Sequence, residues 1–159
     1  MTVCKRMHLM ALLGALTGCG RTSAGPTAPS AASSFLTGTW HGTVTIEVNP
    51  GDSVAPPSST GTTEWTFEAM PQTNLQSFRT TVKSDDPWLR IAASATTALT
   101  PGNTPPAHIS TQGEFDSPRG CRGTFGSAGT AEATRIEADF TGTDCDHVTF
   151  VGRVVLTKG

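Results

Sequence analysis

Apolar and polar residues alternate along much of this 159-residue chain, and this alternation constrains the fold more than any other feature. In residues 39–48, Trp40 and Val44 lie on one face of an extended chain, and His41 and Thr43 lie on the other. Successive side chains of a strand point to opposite sides, so a period of two predicts a strand with one buried face. No window shows a convincing helical spacing of apolar residues, and we expect an all-β domain.

Eight such segments follow one another, and residues typical of turns, such as NPGD, TPGNTPP, SPRG and GSAG, separate several of them. Even spacing with one apolar face predicts an antiparallel up-and-down meander. Eight strands of this kind can close into a small barrel, which removes the exposed edges of the sheet. A β-sandwich is the alternative. The segments are residues 39–48, 62–70, 75–84, 88–99, 107–116, 121–125, 131–141 and 146–157.

Several positions on the predicted inward face carry small side chains. Glycine inside a strand often marks a bend where a sheet curls, and a small closed barrel needs such bends. The same residues could instead leave volume for a ligand, because an eight-stranded barrel is either filled by side chains or holds one small ligand. The structural interpretation is favoured. These residues are Gly42, Ala93, Thr111, Gly113, Gly123 and Gly152.

The chain begins with Lys5 and Arg6, followed by an apolar run over residues 7–18. A run of about a dozen residues has the length of a signal-peptide core and is shorter than the roughly 20 residues of a membrane-spanning helix. It ends in Leu-Thr-Gly-Cys, with the cysteine at Cys19. This tetrapeptide resembles the lipobox of bacterial lipoproteins. The resemblance implies that Cys19 becomes the first mature residue and carries acyl chains that anchor the protein.

Gly20 follows the cysteine, and in Gram-negative lipoproteins a residue other than Asp there implies the outer membrane. We therefore expect a cell-envelope protein, facing the periplasm or the cell surface. The predicted organisation is a signal peptide over 1–18, a flexible Ser/Pro/Ala-rich tether over 19–34 and a barrel domain over 35–159. Loss of Lys5 and Arg6 leaves nine basic and thirteen acidic residues, a net charge of −4, without a basic run. This balance argues against a nucleic-acid partner.

Two cysteines remain in the predicted domain, Cys121 and Cys145. An even pair in an exported chain predicts a disulfide. The alternative is a metal site formed by Cys145 with the neighbouring Asp144, Asp146 and His147. Adjacent residues seldom provide the geometry for four ligands, so the disulfide is favoured and no metal is expected.

Gly38-Thr39-Trp40 opens the first predicted strand and resembles the G-x-W signature of lipocalins, in which the tryptophan closes the barrel floor. Lipocalins also have a basic residue near the end of the last strand that packs across this tryptophan. Here Lys158 falls on the inward phase and Arg153 on the outward phase, and neither matches that position well. The whole pattern resembles small bacterial lipoproteins with lipocalin-like barrels, a resemblance that implies no known activity.

No catalytic motif stands out in the sequence. A hydrolase needs a nucleophile, a base and an orienting acid within hydrogen-bond reach, and neither a G-x-S-x-G elbow nor an H-E-x-x-H helix occurs. His41, His108 and His147 are each interpreted as solvated surface histidines. A phosphate-binding loop is also missing, so we expect neither an enzyme nor a cofactor.

The favoured function is therefore a non-catalytic binding module on a lipid anchor. It would hold a small apolar ligand or an envelope component, with Trp40, Trp65 and Phe67 lining the interior. Two other hypotheses involve a protein partner. One is an inhibitor of lysozyme or of a protease, acting through loops at residues 49–59 and 100–106. The other is a structural role in the envelope.

Overall fold

A computed structural model describes residues 34–48, 58–70, 77–89, 93–100, 104–145 and 147–159, all within the unit Ala31–Gly159. The predicted signal peptide, the lipidated Cys19 and nearly all of the predicted tether lie outside the described residues. Eight strands are present, and each is eight to twelve residues long. They are β1 (Gly38–Val48), β2 (Ser58–Ala69), β3 (Ser77–Ser84), β4 (Ala93–Thr100), β5 (Ala107–Asp116), β6 (Arg122–Ala131), β7 (Arg135–Thr143) and β8 (Thr149–Lys158).

Each strand pairs antiparallel with the next along the chain, and β8 pairs with β1 to close the barrel. The closing register runs from the pair Trp40–Lys158 to the pair Val48–Phe150. The predicted all-β meander and its closure into a barrel are confirmed, and the alternative of two stacked sheets is wrong. In the part of the chain that the structure describes, we find no helix that is long and apolar enough to cross a membrane.

The inward faces of the strands follow the period of two. In β3, for example, Phe78, Thr80 and Val82 are buried, whereas Arg79 and Lys83 are exposed. One core runs through the barrel, because each strand contributes alternate residues to the same interior. Its largest fully buried side chains are Trp40, Trp65, Trp88, Phe67, Phe115, Phe150, Leu36, Ile46, Leu89, Ile136, Leu156 and Val44.

Two strands differ most from the sequence prediction, whereas β2 begins four residues before, and β7 four residues after, its predicted start. The GSAG sequence is not a turn, because β6 continues through it to Ala131 and pairs with both β5 and β7. The turn lies at residues 132–134 instead, and β6 therefore reaches a length similar to that of β7. The fourth strand begins at Ala93 rather than at Trp88, which lies in the β3–β4 connection and is fully buried.

The up-and-down order gives the barrel two different ends. At the terminal end, β1 begins and β8 finishes; the β2–β3, β4–β5 and β6–β7 connections also start and finish there. At the opposite end, here called the disulfide end, Cys121 follows the β5–β6 turn and Cys145 lies in the β7–β8 turn. Their Cα atoms are 6.1 Å apart and the disulfide is formed. The predicted bridge is confirmed, and it joins two turns at one end of the barrel.

Candidate functional site

Trp40 closes the terminal end of the barrel. Its indole Nε1–H donates a hydrogen bond of 2.8 Å to the carbonyl oxygen of Leu36, and both residues are fully buried. The ammonium of Lys158 lies 5.4 Å from the centre of a Trp40 ring and also donates to the carbonyl oxygen of Phe35. The prediction that Lys158 is a poor match to the lipocalin position was wrong, since this residue packs across the tryptophan as the resemblance requires.

The three candidate lining residues lie together in the core. Trp40 is directly opposite Trp65 on the neighbouring strand, and the rings of Trp65 and Phe67 have centres 6.1 Å apart. All three are at most 2% exposed. The Trp65 indole N–H donates to the hydroxyl of Thr63, so its polar atom is satisfied within the protein. These side chains form an aromatic wall, and their role in ligand binding stays a prediction.

A second aromatic cluster occupies the disulfide end. Phe150 is its centre, with ring centres 5.3 Å from both Trp88 and Phe115 and 6.0 Å from Phe140. Trp88 reaches this cluster from the β3–β4 connection, where its backbone N–H donates to the carboxylate of Asp86. The connection thereby turns a large apolar side chain into the mouth of the barrel, and Trp88 is fully buried.

The aromatic rings of this cluster pack against inward-facing glycines on neighbouring strands. Gly142 lies directly opposite Phe150, and a Cβ added there would come within 2.5 Å of ring atom Cε1. Similar pairs are formed by Gly123 with Phe115 and by Gly152 with Phe140. The sequence left open whether the inward glycines leave volume for a ligand. At the disulfide end they do not, because neighbouring aromatic rings occupy the space beside them.

Between the two aromatic clusters, a hydroxyl row crosses the interior face of four adjacent strands. It consists of Thr80, Thr97, Thr111 and Ser127, from β3, β4, β5 and β6, all at least nine-tenths buried. Phe67 lies directly opposite Thr80 on β2, so the row begins beside the predicted aromatic wall. The row therefore places four neighbouring hydroxyl groups in the interior of the barrel.

The disulfide lies next to a buried carboxylate. Asp144 accepts hydrogen bonds from the backbone N–H of Val148 and the hydroxyl of Ser117, and Arg119 Nε is 3.7 Å away. These contacts tie together the two turns that the disulfide joins, so Asp144 has a structural role. Within the described ranges, no three His, Cys, Asp or Glu side chains are grouped as metal ligands. Asp146, part of the alternative metal site, lies outside those ranges.

The histidines lie on the exterior, as predicted. His41 Nδ1 is 3.7 Å from Glu64, which also pairs with Lys83. His108 and His147 are exposed.

A charged cluster covers the outer face of β7 and β8. Glu137 accepts from Arg135 at 2.6 Å and from Arg153 at 2.5 Å, and Arg153 also lies 3.9 Å from Asp139. The hydrogen bond from Arg135, followed by that from Arg153, lowers the pKa of Glu137 below its ordinary value. These are exposed ion pairs, which stabilise a protein only weakly.

The two loops predicted for an inhibitor start and finish at opposite ends of the barrel. Residues 49–57 lie outside the described residues, but the connection runs between Val48 and Ser58 at the disulfide end. The connection between Thr100 and Ala107 belongs to the terminal end.

The sequence interpretation missed two features of the interior. The sequence predicts a strand that includes Trp88, although the preceding Asp-Pro is typical of a turn that redirects the chain. The GSAG sequence predicts a turn that includes Ser127. The period of two that includes Phe125 and Ala131 also passes through Ser127 and could have placed it on the inward face.

No known protein-family model matches the chain, and no curated protein matches it. Among solved structures, the chain is similar to EF1p2_mFAP2b bound to DFHBI, with a TM-score of 0.53 and 15% sequence identity. The similarity covers 79% of this chain and 94% of the other. At this identity, the likeness supports the fold: a closed eight-stranded barrel fits a lipocalin-like architecture.

Proposed function

We propose that this protein is a non-catalytic binding module that holds a small apolar ligand inside a barrel anchored to the cell envelope by lipid. The observation that carries the proposal is the interior itself, in which aromatic clusters at both ends flank a polar row. Ligand sites are typically apolar and contain a few polar groups that fix the orientation of the ligand. The similar barrel EF1p2_mFAP2b is bound to DFHBI, which supports this use of the fold.

Binding is tested with N-phenyl-1-naphthylamine, a neutral dye that emits more strongly in apolar surroundings. We expect saturable binding at one dye per protein and a shift of tryptophan emission, because Trp40 and Trp65 lie in the proposed wall. Phe67→Leu should weaken binding, because Phe67 is 1% exposed and borders the hydroxyl row. Met70→Leu, at an exposed position beyond β2, is the matched control and should not. No saturable binding, or equal binding by both variants, would contradict the proposal.

The anchor is a separate part of the proposal, based on the Leu-Thr-Gly-Cys sequence at residues 16–19. We expect the protein from its native cells to begin at Cys19 and to carry acyl chains, and mass spectrometry of the intact protein would reveal both. It should fractionate with the outer membrane, whereas Cys19→Ser should release it or leave it unprocessed. An unmodified cysteine within a longer chain would refute the anchor but leave the binding proposal untouched.

A further inference from the structure

The hydroxyl row lies midway along the barrel, where its members face one another across neighbouring strands. Thr97 is directly opposite Thr111 in the β4–β5 register, and Thr111 is directly opposite Ser127 in the β5–β6 register. The hydroxyl oxygens of Thr80 and Thr97 are 2.6 Å apart, and those of Thr97 and Thr111 are 2.8 Å apart. Three threonines thus form a short chain of two hydrogen bonds.

Ser127 stands outside this chain, although it lies beside its end. It is 7% exposed, and its Oγ has no hydrogen-bond partner among the described residues. On its other side, the residue directly opposite is Phe140, an apolar ring without a conventional hydrogen-bonding group. A buried hydroxyl in this position is costly unless something else pairs with it, because buried polar groups in native proteins nearly always have a partner.

Counting hydrogens gives the chemical character of the missing partner. Each hydroxyl has one hydrogen to donate, so the three threonines bring three hydrogens to two bonds. Either oxygen can be the donor in each of the two bonds, because hydroxyl hydrogens rotate. In the direction that runs from Thr80 through Thr97 to Thr111, the remaining hydrogen is on Thr111, next to that of Ser127. In this direction the row presents two neighbouring hydrogens, and a carbonyl oxygen with two lone pairs, which can accept both, would select it.

The charge of the interior excludes an ionised partner. Among the described strand residues on the inward phase, the one charged side chain is Lys158, at the far end of β8. It is already engaged with Phe35 and Trp40. A carboxylate beside Ser127 would be desolvated without a counter-ion, which disfavours its charged form strongly. A neutral acceptor is the group that fits.

We propose that the ligand of this barrel is a neutral, mostly apolar molecule with a carbonyl oxygen, which accepts hydrogen bonds from the hydroxyls of Ser127 and Thr111. This inference rests on the proposed binding function and specifies its ligand class. Phe67, Trp65 and the aromatic rings at the disulfide end supply the apolar surroundings. The hydroxyl row fixes the orientation of the bound molecule, because its carbonyl oxygen must point towards Ser127 and Thr111.

The test compares two probes of similar shape, 2-acetylnaphthalene and 2-isopropylnaphthalene, which differ in the carbonyl oxygen. Affinities for the mature chain are measured by displacement of N-phenyl-1-naphthylamine. We expect the ketone to bind roughly 25-fold more tightly, and Ser127→Ala and Thr111→Val each to reduce this preference about fivefold, the typical effect of one hydrogen bond. Thr124→Val, on the exposed face of β6, is the matched control and should leave the preference unchanged. Near-ultraviolet circular dichroism checks that each variant is folded.

The outcomes separate this inference from the function on which it rests. Equal binding of both probes by the unmodified protein would overturn the carbonyl assignment and leave the binding module standing. An unaltered preference in a folded Ser127→Ala variant would overturn the assignment as well. If a crystal structure with the ketone shows an ordered water at Ser127 and the ketone elsewhere, water is the missing partner and the assignment is wrong. Failure of both probes and of the dye to bind would refute both proposals.

Discussion

The contact between Gly142 and the ring of Phe150 permits a sharp test of how the barrel is packed. We consider Gly142→Ala, a change of one methyl group on the inward face of β7. The added Cβ would lie within 2.5 Å of Cε1 of Phe150 and nearer still to Cζ, whereas ordinary contacts begin at 3.4 Å. Because Cζ would lie 2.0 Å from the added Cβ, the ring must move by about 1.4 Å to reach an ordinary contact. The centre of the ring now lies 5.3 to 6.0 Å from the centres of three other aromatic rings, and these contacts would be disturbed.

The expected cost follows from two opposing effects. Overpacking a closely packed side-chain cluster such as this one costs about 1–3 kcal/mol, and the lower entropy of alanine in the unfolded chain returns about 0.4–1 kcal/mol. We expect a net loss of about 1.5 kcal/mol in the free energy of unfolding. Gly126→Ala is the matched control, because its Cβ would meet its nearest atom, the Thr111 carbonyl oxygen, at 3.8 Å. That variant should be neutral or slightly stabilised.

Urea denaturation, followed by tryptophan emission with the disulfide intact, measures both values. A double-mutant cycle with Phe150→Leu then isolates the contact. Shortening the ring removes the atoms that the new methyl group meets, so the double variant should be more stable than additivity predicts by about 1 kcal/mol. A Gly142→Ala variant as stable as Gly126→Ala, or strict additivity in the cycle, would refute the idea that the ring fills this space.

Three further predictions concern the disulfide, the closure of the terminal end and the stability of the protein at acidic pH. Replacing Cys121 and Cys145 together by serine removes a bridge between residues 24 apart. Because the bridge restricts the unfolded chain, the free energy of unfolding should fall by about 3 kcal/mol. A loss below 1 kcal/mol in urea denaturation would contradict this entropic explanation. Lys158→Met keeps the apolar stem over Trp40 but loses the charge and the hydrogen-bond donor to Phe35, so we expect the free energy of unfolding to fall by about 1 kcal/mol. The control Lys83→Met loses an exposed ion pair and should cost less than half of that. Equal losses would argue against a special role for Lys158. The arginines beside Glu137 lower its pKa in the folded state, so the stabilisation by these ion pairs is present at neutral pH and is lost as the pH falls through that lowered pKa. Glu137→Gln should therefore make stability depend less on pH below about pH 4.5. The same dependence of stability on acidic pH in both proteins would count against this assignment.

The sequence alone determined the strands and most of their faces. A period of two allows a strand such as β3 one arrangement in which Phe78, Thr80 and Val82 avoid water together, so the buried face follows directly from the order of residues. Turn-forming residues divided the chain into eight segments, and an even pair of cysteines predicted the bridge. The anchor at Cys19 depends on a local sequence signature and stays a prediction.

Tertiary structure decided the features that depend on neighbouring strands. GSAG has the residues of a turn, but β5 and β7 supply hydrogen-bonding partners on both sides of β6, and this pairing overrides the local preference for a turn. Lys158 meets Trp40 because closure sets the register between β8 and β1. The hydroxyl row likewise exists because strand registers align Thr97, Thr111 and Ser127, which are 14 and 16 residues apart in the chain. Alternation along one strand fixes which way a side chain points, whereas the stagger between strands fixes what it meets there.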